Sequence, residues 1–281
     1  MNPQLPPLPE TERLSASVIR ILGGNPGKFT LQVGRGPRRL LIDTGDGRPS
    51  WIQSLKNVLM SEHASVDSVI LTHWHPDHVG GVKDLLKSSP GTRVYKNSAD
   101  DSQLDIEDGQ RFRVEGATLR AFHSPGHTTD HMALVFEEED AMFTGDNVLG
   151  HGTAVFEDLA NYLSSLEMMS HQFSGRAYPG HGPAIEDGPA RVLEYIQHRS
   201  DRENQVIQVL KSAKPPPDME QADESRDLAG WTPMEIVKVI YQDVSEDLHL
   251  AAERGVLQVL WKLQKEGRAL GDSTSNKWRF M

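Results

Sequence analysis

The sequence predicts an α/β protein: one large domain of strands and helices followed by a small helical appendage. Three observations carry this expectation. The 281 residues can bury a sizeable core in one large domain, and size alone forces no second one. Between residues 38 and 73 a strand, a helix and a strand follow one another. From about residue 184 the strand signals give way to apolar residues at three-and-four spacing, the periodicity of helices.

Taken in chain order, residues 1–14 read as a short disordered lead with neither a secretory nor a transit pattern. SASVIRILG (15–23) and RRLLIDTG (38–45) are β-branched or Leu-rich runs that end in glycine, as strands do on entering loops, so Asp43 sits at a strand end. The glycine-rich ILGGNPG lacks the lysine and hydroxyl residue of a phosphate loop and reads as a turn. SWIQSLKNVLMSEH (50–63) sets Trp51, Ile52, Leu55, Val58 and Leu59 at helical spacing with Ser50 as N-cap, and VDSVILTH (66–73) follows as a buried strand. TLRAFHS (118–124), MALVFEE (132–138) and AMFTG (141–145) read as strands, the last two joined by an acidic turn. RAYPG (176–180) is the final strand of this region.

The helical stretch PARVLEYIQHRSDRENQVIQVLKSA is broken by KPPPDMEQADESRD, whose prolines and charges mark a linker. This places the core domain over 15–213, the linker over 214–230 and a small C-terminal region over 231–281. In WTPMEIVKVIYQD, Thr232 is the N-cap, Pro233 occupies N1 and Glu235 occupies N3, a capping box. A second amphipathic helix, HLAAERGVLQVLWKLQKEG, and the terminal NKWRF complete a winged-helix-like pattern. No internal repeat or low-complexity tract is visible.

Composition narrows the chemistry. With 29 basic against 40 acidic side chains, the formal charge of -11 repels polyanions, so nucleic acid is not the default partner. The absence of cysteine excludes disulfides, thiolate ligands and a cysteine nucleophile, leaves His, Asp and Glu as metal ligands, and fits a reducing compartment. No apolar run approaches the roughly 20 residues of a membrane span. The expectation is a soluble, cytoplasmic chain with no membrane partner.

LTHWHPDHVGG (71–81) places His73, His75, Asp77 and His78 directly after the buried strand. Imidazole and carboxylate suit zinc and similar ions, and one loop leaving a strand can aim His73 and His75 to one point and Asp77 and His78 to a second. Two ions need further ligands. His127 in SPGHTTDH, Asp146 in FTGDNVLGHG and His181 in YPGHGP each lie at a strand end beside glycine. A lone histidine reads as a cap or a surface group, whereas this joint pattern reads as a metal site. His63, His171, His198 and His249 lack such context. His123, His131 and His151 lie near the motif loops, open to supporting a ligand or touching substrate.

The run His73-Trp74-His75-Pro76-Asp77-His78, with His127, Asp146 and His181 in that order, resembles the metallo-β-lactamase superfamily of dinuclear hydrolases. The resemblance implies a four-layer αβ/βα sandwich with two zinc ions at the sheet edges. It implies His73, His75 and His127 on one zinc, Asp77, His78 and His181 on the other, and Asp146 bridging them. It also implies a supporting role for Asp43 and a proton-transferring, catalytic role for Asp77.

The stretch GHTTDHMALVFEEEDAMFTGDNVLGHGTAVFEDLANYLSSLE is similar to fungal metallo-β-lactamase-type thioesterases that work beside non-reducing polyketide synthases, such as atrochrysone carboxyl carrier-protein thioesterases. That likeness implies hydrolysis of a polyketide thioester on the acyl carrier domain of a synthase. Val155, Phe156 and Leu159 then either line a channel for an aromatic polyketide chain or belong to the core. The same motifs are similar to animal lactamase-β-like endoribonucleases, which implies cleavage of single-stranded RNA as an alternative. RNA would need a cationic track, for which Lys262, Lys265, Arg268, Lys277 and Arg279 are candidates. One departure stands out: only Val33 separates Gln32 from Gly34 where both groups carry a GTNTYLV-like segment about six residues longer, roughly 20 Å of strand. Its loss predicts a missing edge or inner strand, with an inactive or misfolded variant as the third alternative.

Overall fold

The structure, a computed structural model, describes residues 8–23, 29–212 and 230–281. The chain divides into two compact units, Met1–Ile196 and Gln197–Met281. In the first, β1 (Thr11–Arg13), β2 (Val18–Leu22), β3 (Phe29–Val33), β4 (Arg38–Ile42), α1 (Pro49–Ser61), β5 (Ser65–Leu71), α2 (Pro76–Val79), α3 (Val82–Ser88) and β6 (Arg93–Lys96) form a six-stranded sheet, ordered β1 to β6, with its helices. Then β7 (Arg111–Val114), β8 (Ala117–His123), β9 (Met132–Phe136), β10 (Ala141–Gly145), α4 (Leu159–Met169) and β11 (Ala177–Pro179) follow, with a second sheet ordered β11-β10-β9-β8-β7. The helix α5 (Gly188–Lys211) runs from the first unit into the second.

The period of two in the strands sorts side chains into layers. In β4, Leu40 and Ile42 join Leu119, Ala121, Leu134, Phe136 and Phe143 of the second sheet in the core between the sheets. Leu41 turns the other way and packs with Trp51 and Leu55 of α1 and Leu85 of α3. On β5 the same phase holds across the ladder, with Ile70, opposite Ile42, between the sheets and Val69, opposite Leu41, toward the helices together with Leu71. Beside the second sheet, α4 buries Tyr162, Leu166 and Met169, and its Ser165 hydroxyl donates to the Pro125 carbonyl at 2.7 Å. Helix, sheet, sheet and helix reproduce the expected sandwich. Because β4, β5 and β6 run parallel, the loops that follow β4 and β5 leave the sheet at the same edge.

Several elements differ from the sequence expectations. Thr11–Arg13, assigned to the lead, pair antiparallel with β2; the rest of the lead through residue 7 lies outside the described residues. The N-cap of α1 is Arg48 rather than Ser50, because Pro49 at N1 already has the backbone angle of a helix. The strand expected to be lost at Val33 is present: β3 pairs with β2 from Val18↔Val33 to Leu22↔Phe29 and with β4 from Leu31↔Ile42 to Val33↔Leu40. FTLQV therefore fills the inner position. It does so with Gln32 buried and neither amide atom hydrogen-bonded among the described residues, opposite Ile19 and Leu41 in the ladders.

In the second unit, α6 (Pro233–Ile240), α7 (His249–Lys265) and the antiparallel pair β12 (Ala269–Asp272) and β13 (Lys277–Phe280) make the winged-helix-like region. The capping box is formed: the Thr232 hydroxyl accepts from the Glu235 amide, and the Glu235 carboxylate accepts from the Thr232 amide. Ile236, Val237, Val256, Leu260, Leu263 and Trp278 are buried here. The boundary between units falls inside α5, ahead of the expected position at 213, because Glu203 pairs with Lys262 and Arg268 and Lys211 lies over the Phe280 ring. Apart from Gly230, the expected linker lies outside the described residues.

Candidate metal centre

The centre is assembled where β4, β5, β10 and β11 end. Asp43 follows β4 in the left-handed backbone region, with φ of 60°. Such a conformation is costly for a non-glycine residue, and Thr72 holds it: the Thr72 amide donates to Asp43 Oδ1 at 2.8 Å and the Thr72 hydroxyl reaches both carboxylate oxygens. Asp43 Oδ2 in turn lies 2.8 Å from His78 Nδ1. That bond places the His78 proton on Nδ1 and turns Nε2 toward the centre.

After β5, the loop delivers His73 and His75, and Pro76 starts the single turn α2 that carries Asp77 and His78. The His73 Nε2, His75 Nδ1 and His127 Nε2 atoms stand 2.9, 3.0 and 3.2 Å from one another. Two nitrogens bound to one tetrahedral zinc at the usual length would be roughly 3.3 Å apart. His127 Nδ1 is 2.8 Å from the Val155 carbonyl, so its proton sits there and its Nε2 presents a lone pair.

Asp146 follows β10 and stands between two sets of ligands. Its carboxylate lies 3.7 Å from His127 Nε2, 3.5 Å from His78 Nε2 and 3.1 Å from His181 Nε2. Asp77 Oδ2 is 3.3 Å from His181 Nε2 and 3.5 Å from His78 Nε2. Two groups able to hold a metal result: His73, His75, His127 and Asp146, and Asp77, His78 and His181. All seven site residues expected from the sequence are thus brought together. Glycine is required beside them. At Gly180 a Cβ would come within 2.4 Å of Asp146 Oδ1, and at Gly126, where φ is 134°, within 2.3 Å of the Tyr162 backbone.

The two groups differ electrically. Burial pushes the His73 and His127 imidazolium forms down, so both rings are neutral near pH 7 and ready to bind a cation. Burial also opposes protonation of His78, but the Asp146 and Asp43 carboxylates outweigh it and raise its pKa well above the usual value. At His181 burial is likewise overcome, by hydrogen bonds with Asp146 and Asp77, and the pKa is raised to about 9. Burial would raise the Asp146 carboxyl, yet His78 and His181 hold it well below the carboxylate range. His78 Nε2 and Asp146 Oδ1 are nevertheless buried without a hydrogen-bond partner among the described residues. The neutral nitrogens of His73 and His127, the carboxylates around His78 and His181 and two unpartnered buried atoms fit a cation of the zinc type, which would take the place of the protons on His78 and His181.

Of the histidines left open, His131 is a support: fully buried, it meets the Ser124 hydroxyl at 2.9 Å through Nδ1 and accepts from the Asp146 amide at 3.1 Å through Nε2. His123 sits outside the ligand groups, with Nε2 3.1 Å from the Thr129 carbonyl. His151 lies beside Gly182, its Nδ1 buried and unpartnered. His63, His171, His198 and His249 contribute to neither group. Sequence reasoning missed Thr72 and the buried pair of Lys96 and Asp130, whose Nζ and Oδ2 are 2.5 Å apart. Lys96 stands opposite Leu71 in the β5–β6 ladder, and Thr128 donates to Asp130 at 2.7 Å, so this pair ties the first sheet to the loop that carries His127. The only sequence signal of Thr72 and Asp130 is proximity to a motif, and Lys96 has none.

Two facing sheets between helices, with His and Asp groups at one edge, define a class of metal-dependent hydrolases. The chain belongs to the metallo-beta-lactamase superfamily, whose model matches residues 30–101 and 90–181. The beta-lactamase associated winged helix domain matches residues 232–278. The lactamase-like protein aptB of Emericella nidulans is 44% identical over 98% of this chain and 90% of its own length. An atrochrysone carboxyl ACP thioesterase of Aspergillus chevalieri is 45% identical over 92% of this chain and 85% of its own. A beta-lactamase domain protein from Burkholderia ambifaria superposes with a TM-score of 0.77 over 96% of this chain and 93% of that one, at 16% identity. At that identity the likeness speaks for the fold alone.

Proposed function

We propose that this chain is a zinc-dependent thioesterase that releases a polyketide acyl chain from the acyl carrier domain of its synthase. The observation that carries this reading is the pair of converging ligand groups on a chain 45% identical, over 92% of its length, to a protein named as a carrier-protein thioesterase. In this reading His73, His75 and His127 would hold one ion and Asp77, His78 and His181 the second, with Asp146 available to both. Bound zinc supplies Lewis acidity toward the carbonyl and a water acidic enough to react near neutral pH, chemistry that needs no serine or cysteine nucleophile.

The protein's own part is orientation and proton handling. Asp43, the Val155 carbonyl and His131 hold His78, His127 and the Asp146 amide in place. Asp77 is the most solvent-open carboxylate of the centre, with 16% of its side chain exposed against 10% for Asp146, which supports a role in which it would take up the proton of a reacting water. The thiolate leaving group, with a conjugate thiol pKa of about 8.5, needs little protonation.

Two observations disfavour RNA. The charge is -11, and on the candidate cationic face Lys262 and Arg268 are paired with Glu203 and Glu266. No helix among the described residues is long and apolar enough to cross a membrane, and a cytoplasmic site beside the synthase is part of the proposal.

The test is release of a polyketide from its acyl carrier domain by the zinc-loaded chain, with metal content measured in the same sample. Release well above a metal-free control is expected. None, at full occupancy, would remove the proposal, and salt-dependent binding and cleavage of single-stranded RNA would put the ribonuclease in its place.

A further inference from the structure

Trp74 lies between two ligand histidines, yet it holds neither metal nor proton. Half of its surface is open (49%), while His73 before it is fully buried. Its indole meets the His75 ring at an interplanar angle of 64° with centroids 4.5 Å apart. The imidazole steadies one side of the indole and leaves much of the rest to solvent. Ligand positions on both sides and Pro76 beyond give the backbone little freedom to turn the ring inward.

Val155 is 73% exposed, and its backbone carbonyl holds His127 through Nδ1. The His75 and His127 rings are themselves only 4.8 Å apart. The exposed indole therefore packs on one of two neighbouring ligand rings, and the residue that carries the exposed valine side chain holds the other through its backbone. Phe156 and Leu159, the other residues expected to line a channel, are engaged elsewhere: Phe156 stacks on Tyr162 at 5.2 Å and Leu159 is buried.

A flat, rigid and partly open indole is matched by a flat apolar partner, which gains ring-on-ring contact as well as burial; a flexible alkyl chain gains burial only. We propose that Trp74, assisted by Val155, is a specificity-determining platform that binds the planar aromatic acyl group of the substrate beside the metals. The substrate class rests on the thioesterase reading, whereas binding of an aromatic carboxylate to the platform can be measured without turnover.

The experiment is a calorimetric titration of the zinc-loaded full chain with 2-naphthoate and, separately, with hexanoate. It compares the unaltered chain with Trp74→Phe, Trp74→Leu and Trp74→Ala at matched zinc content. The expected result is a loss of about tenfold in 2-naphthoate affinity for Trp74→Leu and Trp74→Ala, most of it restored in Trp74→Phe, with hexanoate weakened about threefold or less. Trp74→Leu keeps bulk and apolarity, so it separates the ring from mere size. Equal 2-naphthoate affinity in all four chains overturns the proposal, as does an equal loss for both probes or no 2-naphthoate binding by the unaltered chain. In turnover, Trp74→Leu should lower the ratio of kcat/KM for a naphthoyl thioester to that for an acetyl thioester by a similar factor, through KM. Hydrolysis of neither thioester by the unaltered chain would sink the thioesterase reading alone, because the titration judges the platform independently.

Discussion

His78 Nε2 and Asp146 Oδ1 at the metal centre, and both amide atoms of Gln32 in β3, are buried without a hydrogen-bond partner among the described residues. At the centre those atoms lie 3.5 Å apart within a set of seven ligand residues, and buried neighbours fix their directions: Asp43 for His78, His131 for the Asp146 amide. Gln32 belongs to no such group among the described residues; its neighbours across the ladders are Ile19 and Leu41. A buried polar atom without a partner costs stability in either place. What distinguishes a site from a defect is whether other atoms of suitable chemistry aim at the same point and are themselves held.

The comparison breaks first if the centre tolerates loss of its shared ligand. In the proposed reading Asp146 serves both groups, so Asp146→Ala should reduce bound zinc below two per chain and cut turnover by more than about 100-fold, beyond the 10–100-fold usual for residues that only support a ligand. Metal analysis and thioester release on the same sample check it, and two zinc ions with near-normal turnover would contradict the assignment. Asp43→Asn is the gentler variant. Asparagine tolerates the left-handed backbone at that position but no longer offers His78 a carboxylate. Zinc affinity at the Asp77, His78 and His181 group should fall about 10–100-fold while the His73, His75 and His127 group keeps its ion.

Which parts of this were readable in advance follows from where the information sits. The ligands occupy short runs at glycine-flanked strand ends, so residue type and position coincide along the chain. Their supports do not: Thr72 acts through an amide and a hydroxyl, and Val155 through a carbonyl that any residue would supply. The apolar runs of β4, β5, β9 and β10 are visible as strands, but RVYK and RFRV, the strands β6 and β7, spread charge across four residues and carry little apolar signal. The boundary inside α5 leaves no trace because the helical period continues through it.

The two ligand groups also differ in charge. In the metal-free chain His78 and His181 are protonated near neutral pH because their folded pKa values are raised, that of His181 to about 9, whereas His73 and His127 are already neutral. An ion entering the second group must displace those protons, and the proton becomes the weaker competitor as pH rises. Zinc affinity of that group should therefore climb by about tenfold per pH unit for each proton displaced, between about pH 6 and 9, and the first group should change much less. Competition titrations against a chelator at pH 6, 7 and 8, with proton release followed in weak buffer, would show it. Equal pH dependence at the two groups would mean that the carboxylates around His78 and His181 do not set their protonation.

The smallest effect belongs to β3, and its sign is opposite. Gln32→Met keeps an unbranched side chain of similar length and removes both unpartnered polar atoms from contact with Ile19 and Leu41. If the amide has no partner, the substitution removes a desolvation cost and should stabilise the first unit by about 1–3 kcal/mol, a rise of several degrees in Tm. Zinc content and turnover should stay as they are, because Gln32 is not among the ligand groups or the residues that hold them. A polar-to-apolar change at a held, convergent position such as Asp43 is expected to act the other way, lowering both metal affinity and stability. Thermal and denaturant melts of Gln32→Met with matched zinc content decide the matter. A fall in stability would show that the Gln32 amide is satisfied after all, and that burial without convergence is no mark of a defect in this strand.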